Sequence, residues 1–171
     1  MITDEALERV RGWFTGRLPE EWRGEGWSIT VDREEITVVL AVPDVAAGES
    51  DVETKEARAG AAKAFREETR AKRIKIASEA EHRFDRKVSW GLRVGEHQEL
   101  WTHVAAPVMT RLRQPQRLVL DTLVEAGVAR SRSDALAWCV RLVGQHEEEW
   151  LDELRQAMSH VADVRSKGPA A

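Results

Sequence analysis

The stretch of sequence that decides the fold class is Trp27-Ser-Ile-Thr-Val-Asp-Arg-Glu-Glu-Ile-Thr-Val-Val-Leu-Ala-Val-Pro43. Apolar and polar residues alternate on both sides of the polar run 32–35, which predicts two strands joined by a hairpin turn. Pro43 ends the second strand because proline has no backbone N–H to donate to a ladder. The stretch therefore predicts a β-hairpin in the first part of the chain.

The residues around this hairpin predict helices and two further strands. Upstream, Thr3 is suited to cap a helix whose apolar positions are Leu7, Val10, Trp13 and Phe14. Downstream, residues 43–54 are loop-like, residues 55–86 follow a helical pattern, and strands are predicted at 88–94 and 100–104. Residues 1–106 are therefore predicted to form an α+β domain of order α-β-β-α-β-β with a small antiparallel sheet, of unknown role.

The rest of the chain, after Pro107, has a different pattern. Residues 108–113 (Val-Met-Thr-Arg-Leu-Arg) alternate like a short strand, and Pro115 fits the first turn of a helix that Gly127 ends. Ser131-Arg-Ser-Asp134 is typical of the start of a second helix. A third helix is predicted after Gly144, and residues 166–171 are predicted to be a disordered tail. The second module therefore spans 107–165.

The pattern of residues 108–144 resembles the ribbon-helix-helix superfamily of Arc- and CopG-like repressors. The motifs that carry the resemblance are Thr110-Arg-Leu-Arg-Gln-Pro115 and Arg130-Ser-Arg-Ser-Asp-Ala-Leu136. In that family, two chains pair their strands into one antiparallel ribbon that enters the DNA major groove. The resemblance therefore implies a homodimer, and an unpaired six-residue strand also needs a partner on physical grounds.

The resemblance also implies which residues touch DNA. Alternation along the strand sends Met109, Arg111 and Arg113 outward as base-contacting residues, and arginine can bond guanine with two hydrogen bonds. The start of the second helix would contact phosphate, since its backbone N–H groups are free. The expected phosphate-contacting residues are Arg130, Ser131, Arg132 and Ser133.

A second basic surface is predicted on the long helical pattern of the first domain. Although the formal net charge of the chain is −4, residues 63–94 contain ten basic and five acidic side chains. Within them, one helical stripe consists of Lys63, Arg66, Arg70 and Arg73. Such a stripe is able to follow a phosphate backbone, but a charged run on a helix is more often only a solvated face.

Signals for catalysis or for a cofactor are weak in this sequence. The single cysteine, Cys139, lies on an apolar helical face, and the five histidines lack the HExxH and HxxxH spacings of metal sites. There is no glycine-rich phosphate loop, and the acidic runs lack the spacing of an acid–base pair. We therefore expect a protein that is not an enzyme and that needs neither a cofactor nor a metal.

The expected location is the cytoplasm. No apolar run approaches the roughly 18 residues that a membrane span needs, and Met1–Glu5 is acidic rather than basic and then apolar. The sequence thus favours a dimeric DNA-binding transcription regulator or antitoxin-type repressor. The alternative is a non-enzymatic dimeric adaptor that uses the same ribbon only to dimerise and binds a protein partner through its N-terminal domain.

Overall fold

The computed structural model describes residues 3–45, 48 and 50–167. The chain divides into two compact units, Met1–Pro107 and Val108–Ala171. The helices of the first unit are α1 (Asp4–Arg17), α2 (Asp51–Glu68) and α3 (Arg70–Phe84), with a 3-10 turn at Glu20–Trp22. Its strands are β1 (Trp27–Val31), β2 (Glu35–Val42), β3 (Lys87–Val94) and β4 (His97–Leu100). The second unit contains α4 (Gln114–Glu125), α5 (Arg132–His146) and α6 (Glu148–Lys167).

The predicted first helix and the predicted hairpin are both confirmed. The Thr3 hydroxyl oxygen accepts a hydrogen bond from the Ala6 N–H at 3.3 Å, and α1 follows. β1 and β2 pair antiparallel, and the Asp32 carboxylate accepts from the N–H groups of Glu34 and Glu35 at 2.9 and 2.7 Å. A short acidic side chain that bonds the backbone two or three residues ahead is a common way to fix such a turn.

The sheet itself differs from the prediction. Its four strands lie in the order β1-β2-β3-β4, and the central pair, β2 and β3, is parallel, so the sheet is mixed rather than antiparallel. The physical reason is the helical connection between these strands, because parallel neighbours need a long crossover and a helix supplies it. The last strand also lies earlier than predicted: β4 is His97–Leu100, and the turn before it is Gly95-Glu96.

The predicted helix over 55–86 is two helices. α2 already begins at Asp51, because the Ser50 hydroxyl accepts from the Glu53 N–H at 3.2 Å and caps it. The break lies at Thr69, whose hydroxyl donates to the Phe65 carbonyl at 2.6 Å. Threonine side chains that bond the preceding turn in this way often bend helices. The loop that was predicted at 43–54 is therefore shorter, and residues 46, 47 and 49 lie outside the described part.

Two predictions for the second unit also need correction. Residues 108–113 have no regular strand structure in the single chain, because a strand requires a hydrogen-bonded neighbour and none lies beside this segment in the described chain. The predicted tail 166–171 begins two residues too early, since α6 continues to Lys167. Residues 168–171 lie outside the described residues.

The core of the first unit lies between one face of the sheet and the helices. Alternate residues of the two central strands point to this face, as period-two geometry requires, and aromatic rings fill the space above them. The Trp90 ring meets Phe14 and Trp22 edge-on, with centroid distances of 6.3 and 6.2 Å. The buried strand residues on this face are Ile36, Val38, Leu40, Val88, Trp90, Leu92 and Val94.

The turn between β3 and β4 needs a glycine, and this leads to a stability prediction. Gly95 has a φ of +56°, and an added Cβ would overlap the Asp44 carboxylate. That carboxylate is held in place by two hydrogen bonds from Arg58, at 2.9 and 2.7 Å. We expect Gly95→Ala to lower the free energy of unfolding by about 1–3 kcal/mol in urea titrations.

The matched control for this substitution is Gly12→Ala. Gly12 lies inside α1 with open space around its Cα, so the added methyl group meets nothing and improves helix propensity. We expect Gly12→Ala to raise the free energy of unfolding by about 0.5–1 kcal/mol. Equal effects of the two substitutions would contradict the backbone conformation described for Gly95.

Candidate nucleic-acid interface

The second unit begins with a segment without regular secondary structure that leads directly into α4. Arg113 has φ −79° and ψ 167°, and its N–H donates to the Gln116 side-chain oxygen at 2.8 Å. Pro115 lies in the first turn of α4, where its missing N–H leaves no hydrogen bond unmade. These features fix where the helix begins and leave residues 108–113 outside it.

The core of the second unit is small. Leu120, Ala129 and Ala135 are its buried apolar residues, and five partly buried residues pack around them: Leu112, Leu123, Val124, Leu136 and Cys139. Two of the three buried side chains are single methyl groups, so the apolar area that this core removes from water is limited. A core of this size gives little stability to an isolated unit.

The same helices expose large apolar side chains. On α4 these are Leu118 and Val119, and on α5 they are Val140, Leu142 and Val143; Val140 is 65% exposed. Apolar side chains grouped on one pair of helices indicate an interaction surface more often than scattered ones do. Together with the small core, they favour a second molecule packed against α4 and α5.

The residues predicted to contact bases are all exposed to solvent. Met109 is 98% exposed, and Arg111 and Arg113 are exposed as well. Neither arginine has an ion pair within the part of the chain that the structure describes. Between them, Leu112 is half-buried and packs on the core, and its carbonyl accepts from Arg117 Nη1 at 2.7 Å. The segment is therefore anchored by Leu112 and presents both guanidinium groups to solvent.

The turn before α5 gathers the residues that were predicted to contact phosphate. The Ser131 hydroxyl accepts from the Asp134 N–H at 3.2 Å and caps the helix. Asp134 Oδ2 in turn accepts from the Arg130 N–H at 3.0 Å and lies 3.7 Å from the Arg130 Nε. Ser133 is exposed. Asp134 thus places a negative charge at the helix start, where a phosphate was expected.

Arg132 is not free in this structure. Its Nε and Nη2 donate to the two carboxylate oxygens of Asp121 on α4, at 2.6 and 2.7 Å. The hydrogen bond from Arg132 lowers the pKa of Asp121 and raises that of the guanidinium. The carboxylate therefore stays charged below its ordinary pKa, and the stability that the ion pair contributes is lost only as pH falls through the lowered value.

The basic stripe of the first unit is interrupted. Lys63, Arg66 and Arg70 are exposed, but Arg73 is only 7% exposed. Its guanidinium lies over the Trp101 ring at 4.4 Å, its Nε donates to the Thr69 hydroxyl at 3.1 Å, and its Nη2 donates to the Arg66 carbonyl at 2.7 Å. Burial lowers the pKa of Arg73 to about 10, with smaller contributions from the charges of Arg66 and Arg70. Arg73 is therefore a packing residue and not part of an accessible stripe.

Several residues that shape these sites were missed in the sequence. Asp121 and Asp134 both pair with arginines that were expected to face phosphate, and Trp101 covers Arg73. Only Asp134 gave a local signal, since it follows the capping serine by three residues. A turn separates Asp121 from Arg132 in the sequence, and a pair of strands separates Trp101 from Arg73. No local sequence pattern therefore indicates that the two residues of either pair are in contact.

The described residues contain no group of three or more histidine, cysteine or acidic side chains placed to hold a metal ion. No helix among them is both long and apolar enough to cross a membrane.

Comparison with known proteins gives a consistent assignment. Residues 8–100 match the model of the N-terminal domain of Rv1265-like proteins, and residues 113–165 match that of the Mb1296 C-terminal domain. Relatives include the uncharacterized proteins Rv1265 and MT1303 of Mycobacterium tuberculosis and Mb1296 of Mycobacterium bovis. Each is 60% identical to this chain over 158 residues, which is 92% of this chain and 69% of the relative. No solved structure gives a significant match. The chain therefore belongs to the family of Rv1265-like proteins.

Proposed function

We propose that this chain is a dimeric DNA-binding protein that acts as a transcription regulator or an antitoxin-type repressor. In this proposal, the second unit pairs with that of another copy, and residues 108–113 of both copies form a ribbon in the major groove. The observation that carries the proposal is the segment itself, which has no strand partner within the described residues, is anchored by Leu112 and exposes Arg111 and Arg113.

The dimer is supported by the apolar surface of α4 and α5. This surface has no cover in the described part of the second unit, whose own core is small. Association would bury that surface and give the segment 108–113 the neighbouring strand that its backbone groups need. A two-fold axis would then double the two exposed arginines to four.

A dimeric adaptor without DNA binding is the second candidate, and two observations favour it. Residues 108–171 carry nine basic and nine acidic side chains, so the second unit has no net charge to attract a polyanion. Arg132 and Arg130 are also paired with Asp121 and Asp134. In this candidate function, the first unit binds a protein partner and the second unit only dimerises.

A salt-dependent binding titration distinguishes the two functions. Labelled genomic fragments are titrated with the full chain between low and physiological salt, and fluorescence anisotropy reports binding. A repressor should prefer some fragments and lose affinity steeply as salt rises, because each neutralised phosphate releases condensed counterions. A protein that is dimeric by sedimentation but shows no binding at low salt would exclude the repressor function and favour the adaptor.

The ion pair of Arg132 gives a further prediction. We expect Asp121→Asn to free the guanidinium, to strengthen binding to all DNA sequences alike, and to steepen the salt dependence by up to about one counterion per chain. The control is Asp152→Asn, which breaks the ion pair with Arg155 on α6 and makes the same change in net charge. If both substitutions have the same effect, Arg132 has no particular role at phosphate.

A further inference from the structure

Helix α6 carries a long apolar stripe that the proposed dimer does not use. The stripe consists of Trp150, Leu154, Ala157, Val161 and Val164, whose spacing alternates between four and three, as in helices that pack along their length. Each of the large residues on or beside the stripe is between 41% and 56% exposed. They are Trp150, Leu154, Met158, Val161 and Val164. A 20-residue helix with such a stripe is expected to be covered by a partner.

The charges on α6 are strongly unequal along its length. Its first two turns contain Glu148, Glu149, Asp152 and Glu153 and no basic residue. After these two turns the sequence of the helix contains the basic residues Arg155, Arg165 and Lys167, the acidic residue Asp163, and His160, so this part has an excess of positive charge. Arg155 is paired with Asp152 in its own helix, whereas Glu149, Glu153 and Arg165 have no ion pair within the described residues.

This distribution restricts what can cover the stripe. A membrane-surface helix carries lysine and arginine along its polar face, and the acidic first turns would be repelled by anionic lipid. Nucleic acid is excluded by the same negative charge. A second copy of α6 is complementary to the first only in one direction, because opposite ends of the helix carry opposite charge.

We propose that α6 pairs antiparallel with α6 of a second copy of this chain. In this orientation, Glu149 and Glu153 lie beside the half of the partner helix that carries His160 and Arg165. The large Trp150 ring then meets the end of the stripe formed by the smaller Val161 and Val164. A parallel pair would instead place the acidic turns of the two copies side by side, and the repulsion between these like charges opposes it.

The α6 pair is an interface additional to the surface of α4 and α5, and it does not require DNA. It adds buried apolar area to an assembly whose second unit has a small core. Absence of DNA binding would therefore leave this proposal unaffected, and its own test is a measurement of which residues of two copies come together.

Cross-linking of single-cysteine variants of the full chain determines the orientation. In a Cys139→Ser background, Leu151→Cys marks the N-terminal end of α6, one residue after Trp150, Val164→Cys marks the end of the stripe, and neither changes a charge. The two variants are mixed, unfolded, refolded together and treated with a short bismaleimide. Antiparallel pairing predicts that the mixed product, identified by mass, exceeds both self-linked products. Parallel pairing predicts the two self-linked products instead, and the absence of any product means that the stripe is not self-paired; either result overturns the proposal.

Two controls keep the experiment specific. Gln156→Cys places the thiol away from the stripe and should give little product. Arg165→Glu in the same background should reduce the mixed product about fivefold, and adding Glu149→Arg should restore it, because the pair of opposite charges is then rebuilt with reversed sign. If Arg165→Glu leaves the mixed product unchanged, charge complementarity does not orient the helices.

Discussion

Phe14→Ala should lower the free energy of unfolding of this chain by about 3–5 kcal/mol. Phe14 is fully buried on α1 between the helices and the sheet, with its ring 4.9 Å from that of Trp13 and 6.3 Å from that of Trp90. The substitution removes the ring and leaves a cavity whose walls are large, rigid aromatic side chains. Such side chains cannot move far enough to fill the cavity. The expected loss of unfolding free energy is therefore at the upper end of the range for core substitutions.

Urea titration followed by tryptophan fluorescence measures this loss. The control is Glu8→Ala on the same helix, whose side chain is exposed and whose removal should change the free energy by no more than about 0.5 kcal/mol. Phe14→Leu should fall between the two, because it keeps most of the apolar volume. A loss for Phe14→Ala as small as that of the control would show that α1 does not pack on the sheet.

The hairpin and the first helix could be predicted because the information for them is local. Thr3 and Asp32 bond backbone groups within three residues, so the residues that fix each element are neighbours in the sequence. The parallel pairing of β2 with β3 is different, because the pattern of a strand says nothing about which strand lies beside it. Only the helical connection between the two strands indicated that they could pair in parallel, because parallel strands need a long crossover and a hairpin cannot join them.

The candidate sites were predicted only in part for the same reason. The spacing of Lys63, Arg66, Arg70 and Arg73 predicts one stripe, but a side chain from another element decides whether each of these residues is accessible. Trp101 lies over Arg73 and converts the end of the stripe into part of a packed cluster. Likewise, the position of Arg132 at the start of α5 gave no information about Asp121 on α4, which binds it.

The segment 108–113 shows why the pattern of one segment alone does not establish a strand. Its alternation predicts a strand, yet a strand exists only with a hydrogen-bonded neighbour, and the described chain does not supply one. Leu112 packs on the core while Met109, Arg111 and Arg113 are exposed, but Thr110, which a strand would place on the side of Leu112, is exposed as well. The segment can therefore form a ribbon only when two copies of the chain associate, and substitutions at its exposed positions test this.

Replacing Arg111 and Arg113 with alanine should weaken binding to a preferred DNA fragment by about 1–3 kcal/mol for each arginine that hydrogen-bonds a base. The dimer should remain intact by sedimentation, because neither side chain belongs to the core of the second unit. Anisotropy titrations with a preferred and a scrambled fragment measure the effect. We expect the difference between the two fragments to disappear along with most of the affinity, because the substitutions remove both charge and base recognition.

The lysine variant separates these two contributions. Arg111→Lys with Arg113→Lys keeps the positive charge but loses the planar fork that bonds guanine through two hydrogen bonds. It should retain the salt dependence and the binding to scrambled DNA, and lose part of the preference for the selected fragment. If the alanine variant binds the preferred fragment as tightly as the unsubstituted chain, the segment does not read DNA. The DNA would then be bound by another surface, and the second unit would only dimerise, because dimerisation through α4 and α5 requires neither arginine.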